Sequence, residues 1–155
     1  MKNKVKMCLY DESFNEELIS MLKEFSLETF NYEATPNINE FVNFHYAIYI
    51  VEVDGEIAGF TSFAINTCYG LAEKTVSNDY IYIRKGFRRS RAMHYIGVQS
   101  GVVCNHLGLD LEHYYVEDSG SIPFIGRLKG KKIYNAYKFK ASEVISEAKK
   151  LQNKL

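Results

Sequence analysis

Tryptophan is absent from this chain, proline occurs twice, and net charge is nil. No apolar run reaches the roughly 18 residues that a membrane span needs, so no partnership with a bilayer is expected. Met1, Lys2, Asn3 and Lys4 precede no long apolar core, which argues against a secretory leader. The three cysteines, Cys8, Cys68 and Cys104, are odd in number and far apart. They read as reduced thiols in a cytoplasmic setting and speak against a disulfide frame. Cys104 and His106, with His113 further on, lack the usual zinc spacing, so no metal site is expected. His45 and His94 stand alone and read as packed or surface residues. With no repeat and no proline-rich linker, the 155 residues form one expected domain, 1–155. The balance of 19 basic against 19 acidic residues counts against nucleic acid as the partner, although a local patch can suffice.

What the chain has is ordinary globular material, 46% apolar and 25% charged, with 12 tyrosines and 10 phenylalanines. Residues 5–10 alternate as a strand. Asp11 or Ser13 then caps a helix in which Phe14, Leu18, Met21, Leu22 and Phe25 recur at helical spacing. Residues 28–38 read as a loop around Pro36, and Asn39 caps a short helix over 40–44. Residues 47–53 are a strand, Asp54-Gly55 is a hairpin turn, and residues 56–65 are the partner strand, with Gly59 as a bulge. Residues 66–70 read as a turn that leads through 71–77 to the next strand.

That next strand, Tyr80-Ile81-Tyr82-Ile83, opens the stretch around which the chain is organised. A turn follows over 84–90, then a helix capped by Ser90. Met93, Ile96, Ser100, Val103 and Leu107 form its sheet-facing stripe, with Gly97 and Gly101 nearby allowing close approach. Arg84, Lys85, Arg88, Arg89 and Arg91 crowd this turn, and no acid lies between Asp79 and Asp110. Two readings are open: a solvated basic turn, or a phosphate or pyrophosphate site at a helix N-terminus reinforced by guanidinium groups. Residues 109–116 form a strand parallel to 80–83. A turn at Asp118-Ser119-Gly120, a strand over 131–139 and an amphipathic helix over 141–155 complete the chain. The last helix covers a sheet edge or pairs with a second copy, as in a homodimer.

The order of elements and the sequence Arg88-Arg89-Ser90-Arg91-Ala92-Met93 resemble the GNAT superfamily of acyl-CoA-dependent N-acyltransferases. In that family a strand ends in a loop written R/Q-x-x-G-x-G/A, which wraps the CoA pyrophosphate before a helix begins. Arg88 matches its first position; Arg91 and Met93 stand where glycine and Gly/Ala are usual, a departure similar to that of divergent, phage-encoded members. Leu128-Lys129-Gly130 stands loosely where the family has a turn before its last strand.

The resemblance covers nearly the whole chain. It implies an α/β (α+β) fold: a GNAT-like mixed, mostly antiparallel sheet with a parallel splayed strand pair and helices on both faces. It implies acetyl-CoA as co-substrate and an amine acceptor, a small molecule or a protein. The pantetheine arm would bond backbone groups of Ile81, Tyr82 and Ile83, and the pyrophosphate would sit on the amides of Arg88, Arg89, Ser90, Arg91, Ala92 and Met93. A backbone N–H near Ile81 would polarise the thioester carbonyl. Asp79, Glu117 and His113 are candidates for taking a proton from the amine. The family's acid is often a tyrosine in a segment that here, over 119–128, holds none; Tyr115 or Ser121 are the candidate substitutes. Competing readings are a nucleic-acid-binding module built on the basic turn, and a catalytically inactive GNAT-like binding domain.

Overall fold

The computed structural model describes residues 3–68 and 73–113, all within the compact unit Met1–Phe124. The strands are β1 (Val5–Leu9), β2 (Ala47–Val53), β3 (Glu56–Cys68), β4 (Glu73–Ile83) and β5 (Leu111–His113), which lie side by side in chain order. β1 to β4 run antiparallel to their neighbours and β5 joins β4 in parallel. This is the mixed, mostly antiparallel sheet expected. Three helices accompany it: α1 (Asn15–Phe30), α2 (Ile38–Phe44) and α3 (Ala92–Leu107).

Strand β2 shows how both faces come to be covered. Successive side chains point to opposite sides of a sheet. Ile48 and Ile50 therefore pack with Leu18, Met21 and Leu22 of α1 and with Ile38 and Phe41 of α2. Val51 and Val53 instead pack with Ala92 and Ile96 of α3. The α3 stripe reads as expected, with Ala92 added at its start.

Strand β4 breaks this alternation once. Ser62 pairs with Tyr80 but Phe63 pairs with Asn78, which leaves Asp79 as an extra residue in β4. Val76 and Ile81 consequently share the α3 side although an odd number of positions separates them. Fully buried Asn78 pins the bulge, its amide donating to Thr61 Oγ1 at 2.8 Å and to the Ser62 carbonyl at 2.9 Å. A second bulge falls at Ala58, because Val51 pairs with Gly59 and Glu52 with Ile57. Gly59 is its neighbour rather than the bulged residue, and its need is different: a Cβ there would lie 2.1 Å from the Tyr82 carbonyl oxygen.

Several boundaries differ from the sequence reading. Residues 66–68 continue β3 instead of turning, and β4 starts at Glu73, because the ladder from Asn66↔Thr75 to Cys68↔Glu73 is held by backbone bonds that polar side chains do not disturb. Helix α1 continues to Phe30 and ends on Asn31 in the left-handed region. Asn37, not Asn39, caps α2, its side chain accepting from the Glu40 amide. Helix α3 begins at Ala92, whose amide donates to Ser90 Oγ at 3.2 Å. Residues 111–113 of the expected strand pair in parallel with Val76–Asn78 of β4, ahead of residues 80–83, and its residues 114–116 lie outside the described ones. Gly101 does not mark close approach, since it is exposed and a Cβ there meets nothing within 4 Å. The splay of the parallel pair and every element expected after residue 113 lie outside the described residues. No helix among the described residues is long and apolar enough to cross a membrane.

Candidate functional site

At the end of β4 the chain turns through Lys85–Phe87 and enters α3. The five basic residues of this turn are not equivalent, because α1 presents a row of carboxylates to three of them. Glu17, Glu24 and Glu28 recur at helical spacing and so share one face of α1. Arg84 donates to Glu24 at 3.1 Å, to Glu17 at 3.1 Å and to the Ile57 carbonyl at 3.2 Å. Arg88 is bound at both ends, Nε donating to the Ile83 carbonyl at 2.8 Å and a terminal nitrogen to Glu28, while its guanidinium lies 5.9 Å from the Tyr82 ring centre. Lys85 Nζ lies 4.0 Å from Glu28. Exposed Arg89 has no side-chain partner among the described residues, and exposed Arg91 stacks 5.9 Å from the Tyr95 ring centre. The expected cluster of available guanidinium groups is thus reduced to Arg89 and Arg91, for a reason that spacing within the turn does not contain.

The ionisation of this clamp follows from its contacts. Burial alone would raise the carboxyls of Glu24 and Glu28. Hydrogen bonds from Arg84 and Tyr82 to Glu24, and from Arg88 and Tyr82 to Glu28, outweigh it and hold both below the ordinary carboxylate range. Tyr82 is pushed far upward, first by burial and then by its hydroxyl donating to Glu28 and Glu24, each at 3.0 Å. Burial opposes charge on Arg84 too, but Glu24 and Glu17 raise it.

The backbone around the turn is partly used. The Ser90 amide donates to the Phe87 carbonyl at 2.9 Å and the Ala92 amide to Ser90 Oγ. The amides of Arg89, Arg91 and Met93 find no acceptor among the described residues. Amides at a helix start, a partial positive charge and the arginines beside them are what binding of an anion requires.

A second feature sits on the other side of the bulge. A cleft of about 810 Å³ opens between α1, α2 and β4, lined by Phe25, Phe41, Phe44 and Tyr80 among other residues. Among the described residues its charged lining groups are Glu40 and Asp79, with no lysine or arginine. His45, at the end of α2, is buried against it; its Nδ1 donates to the Phe41 carbonyl at 2.7 Å, and Nε2 has no hydrogen-bond partner among the described residues. Asp79 Oδ2 lies 3.7 Å from that Nε2.

Apart from the turn of Arg88–Met93, the sequence-derived site residues separate into three groups. Asp79 is the bulged residue and lines the cleft. Ile81 and Ile83 turn their side chains to α3 while Tyr82 faces α1, and all three lead into the basic turn. Tyr115, Glu117 and Ser121 lie outside the described residues, as does the side chain of His113. Two groups were missed. The acidic row of α1 was detectable as Glu17, Glu24 and Glu28 on one helical face; His45 had no signal beyond being a histidine. Cys104 is no activated nucleophile, since burial, followed by Asp110, pushes its thiol upward.

No protein-family profile matches the chain and no curated protein does. Solved structures do. An acetyltransferase from Trypanosoma brucei superposes with a TM-score of 0.68 at 13% identity, covering 88% of this chain and 99% of its own. An aminoglycoside N-acetyltransferase in complex with CoA gives 0.70 at 12% identity, over 90% of this chain and 96% of its own. A transcriptional regulator from Bacillus halodurans gives 0.70 at 12% identity, over 88% of this chain and 99% of its own. The chain has the GNAT-like acetyltransferase fold. At these identities the likeness is one of fold, and activity has to be argued from the site.

Proposed function

We propose that this protein is a GNAT-type N-acetyltransferase that moves an acetyl group from acetyl-CoA to a primary amine. The observation that carries the reading is the junction of β4 and α3, where the amides of Arg89, Arg91 and Met93 have no acceptor among the described residues and lie beside the guanidinium groups of Arg89 and Arg91. Those groups would hold the pyrophosphate, while the amides of Arg88, Ser90 and Ala92, expected to join them, already bond within the turn. The backbone of Ile81, Tyr82 and Ile83 would hold the pantetheine arm. Bound acetyl-CoA supplies a thioester carbonyl. The chain supplies an amide near Ile81 to polarise it and, in the cleft, a carboxylate at Asp79 to receive the amine. Tyr115, Glu117 and Ser121 remain candidates for the protons that follow. The CoA complex of one structural neighbour supports the donor, and its name puts aminoglycosides among the acceptors worth trying.

The nucleic-acid reading loses ground on the same geometry. Arg84, Lys85 and Arg88 already face Glu17, Glu24 and Glu28, which leaves Arg89 and Arg91 as the cations of the basic turn without a carboxylate partner among the described residues, few for a run of phosphates. The test is an acetyl-transfer assay with a panel of primary amines, aminoglycosides and peptides, following free thiol release and the mass of the acceptor. Thiol release with acetylated product supports the proposal; no release with any acceptor refutes it.

A further inference from the structure

We infer that the cleft beside the Asp79 bulge takes a primary amine carried on a flat apolar body, with the ammonium seated between Asp79 and His45 and with His45 Nε2 as the group that accepts its proton. The inference rests on the acetyltransferase reading for the proton step and on the cleft itself for the ligand.

The first part follows from His45. A carbonyl can only accept, so the bond to Phe41 places the hydrogen on Nδ1 and leaves Nε2 of the neutral ring as an acceptor. That acceptor points at a second one, Asp79 Oδ2, across 3.7 Å, with 2% of the His45 side chain and 17% of the Asp79 side chain exposed. A buried acceptor facing a half-buried carboxylate is unfavourable until a donor bridges them. A primary ammonium carries three donors and a positive charge, and so satisfies both. Asp79 and Tyr80 from β4 lie against His45, and Glu40 and Tyr32 line the same cleft, so the charged groups among the described lining residues favour a cation.

The second part follows from the rings. Phe30, Tyr32 and Phe44 line the cleft, Phe30 stacked on Tyr32 with ring centres 6.1 Å apart and Phe44 67% exposed, and together they form an apolar rim. Tyr80 and Phe41 stand further in, with ring centres 5.7 Å and 4.4 Å from the His45 ring. Aromatic faces beside carboxylates attract cations, and the rim suits an apolar body behind the charged head.

The proton bookkeeping closes. The ammonium gives one proton to His45 Nε2, and Asp79 stabilises the imidazolium that forms. The neutral amine attacks the thioester carbonyl, its C–N bond forms, the C–S bond breaks, and the second amine proton leaves with the thiolate as free thiol. His45 then returns its proton to water.

The test uses 2-phenylethylamine, its neutral counterpart 2-phenylethanol, and the full-length chain. Calorimetry should show binding of the amine but not of the alcohol, and Asp79→Asn should weaken amine binding by about tenfold or more. His45→Asn keeps a donor near the Phe41 carbonyl but removes Nε2. It should lower kcat by roughly a hundredfold or more and leave the thermal shift with CoA unchanged. Equal binding of alcohol and amine, or amine binding untouched by Asp79→Asn, overturns the ligand assignment without any reference to catalysis. A His45→Asn enzyme with the wild-type kcat overturns the proton role. Asp79-dependent amine binding without acetyl transfer to any amine supports the ligand assignment and overturns both the acetyltransferase reading and the proton role.

Discussion

Arg88 and Glu28, sixty positions apart in the chain, share a charge-assisted hydrogen bond, and the same carboxylate receives the Tyr82 hydroxyl. The basic turn is thereby tied to α1, and one guanidinium of the proposed pyrophosphate site is already engaged by a carboxylate. An anionic ligand at this turn has to compete with Glu28 for Arg88.

Glu28→Gln keeps the shape of the contact and removes its charge. CoA should then bind roughly threefold tighter, since a nearby exposed carboxylate weakens an anion only modestly. Arg88→Ala should weaken CoA and also lower stability, because Nε no longer reaches the Ile83 carbonyl. Titration calorimetry on both variants checks this; tighter CoA binding by Arg88→Ala would contradict it.

The clamp also predicts a pH dependence. Glu24 and Glu28 have depressed carboxyls in the folded chain, so their contribution is fully present above the ordinary carboxylate range and is lost as pH falls through and below about 4. Wild type should exceed a Glu24→Gln, Glu28→Gln double variant by about 1 kcal/mol near neutrality, after allowing for partial exposure, and the gap should close in acid. Tyr82 behaves in the opposite sense: its raised hydroxyl stabilises the fold below the ordinary tyrosine range and loses that contribution as pH rises through its folded value. Urea melts across pH measure both limbs.

Two glycines should respond with opposite signs. Gly59→Ala would press a methyl against the Tyr82 carbonyl oxygen, 2.1 Å away, and should cost about 2–3 kcal/mol as β3 and β4 shift apart. Gly101→Ala points into open space on an exposed helix face and should gain up to about 1 kcal/mol. Thermal melts of the two variants decide this, and a stabilised Gly59→Ala would mean that the strands are not held this close.

What could be read from the residues alone was what local physics decides. Strand β2 and the turn at Asp54-Gly55 follow from period-two alternation and from the positive φ of 54° and 89° that the two turn residues adopt. The buried face of α3 follows from its 3.6-residue period. The bulge at Asp79 does not, because it exists only in the register between β3 and β4. Nor does the fate of Arg84 and Arg88, which is settled by carboxylates on a helix some sixty residues away. His45 looked unremarkable for the same reason: its meaning lies in Asp79 across the cleft, and in a carbonyl one helical turn before it.

The most direct measurement is the thermal shift produced by acetyl-CoA on wild type and on an Arg89→Glu, Arg91→Glu double variant. The account predicts that saturating acetyl-CoA raises the wild-type Tm by roughly 5–10 °C and leaves the variant nearly unmoved. An unmoved wild type, or a variant shifted as far as wild type, would contradict it.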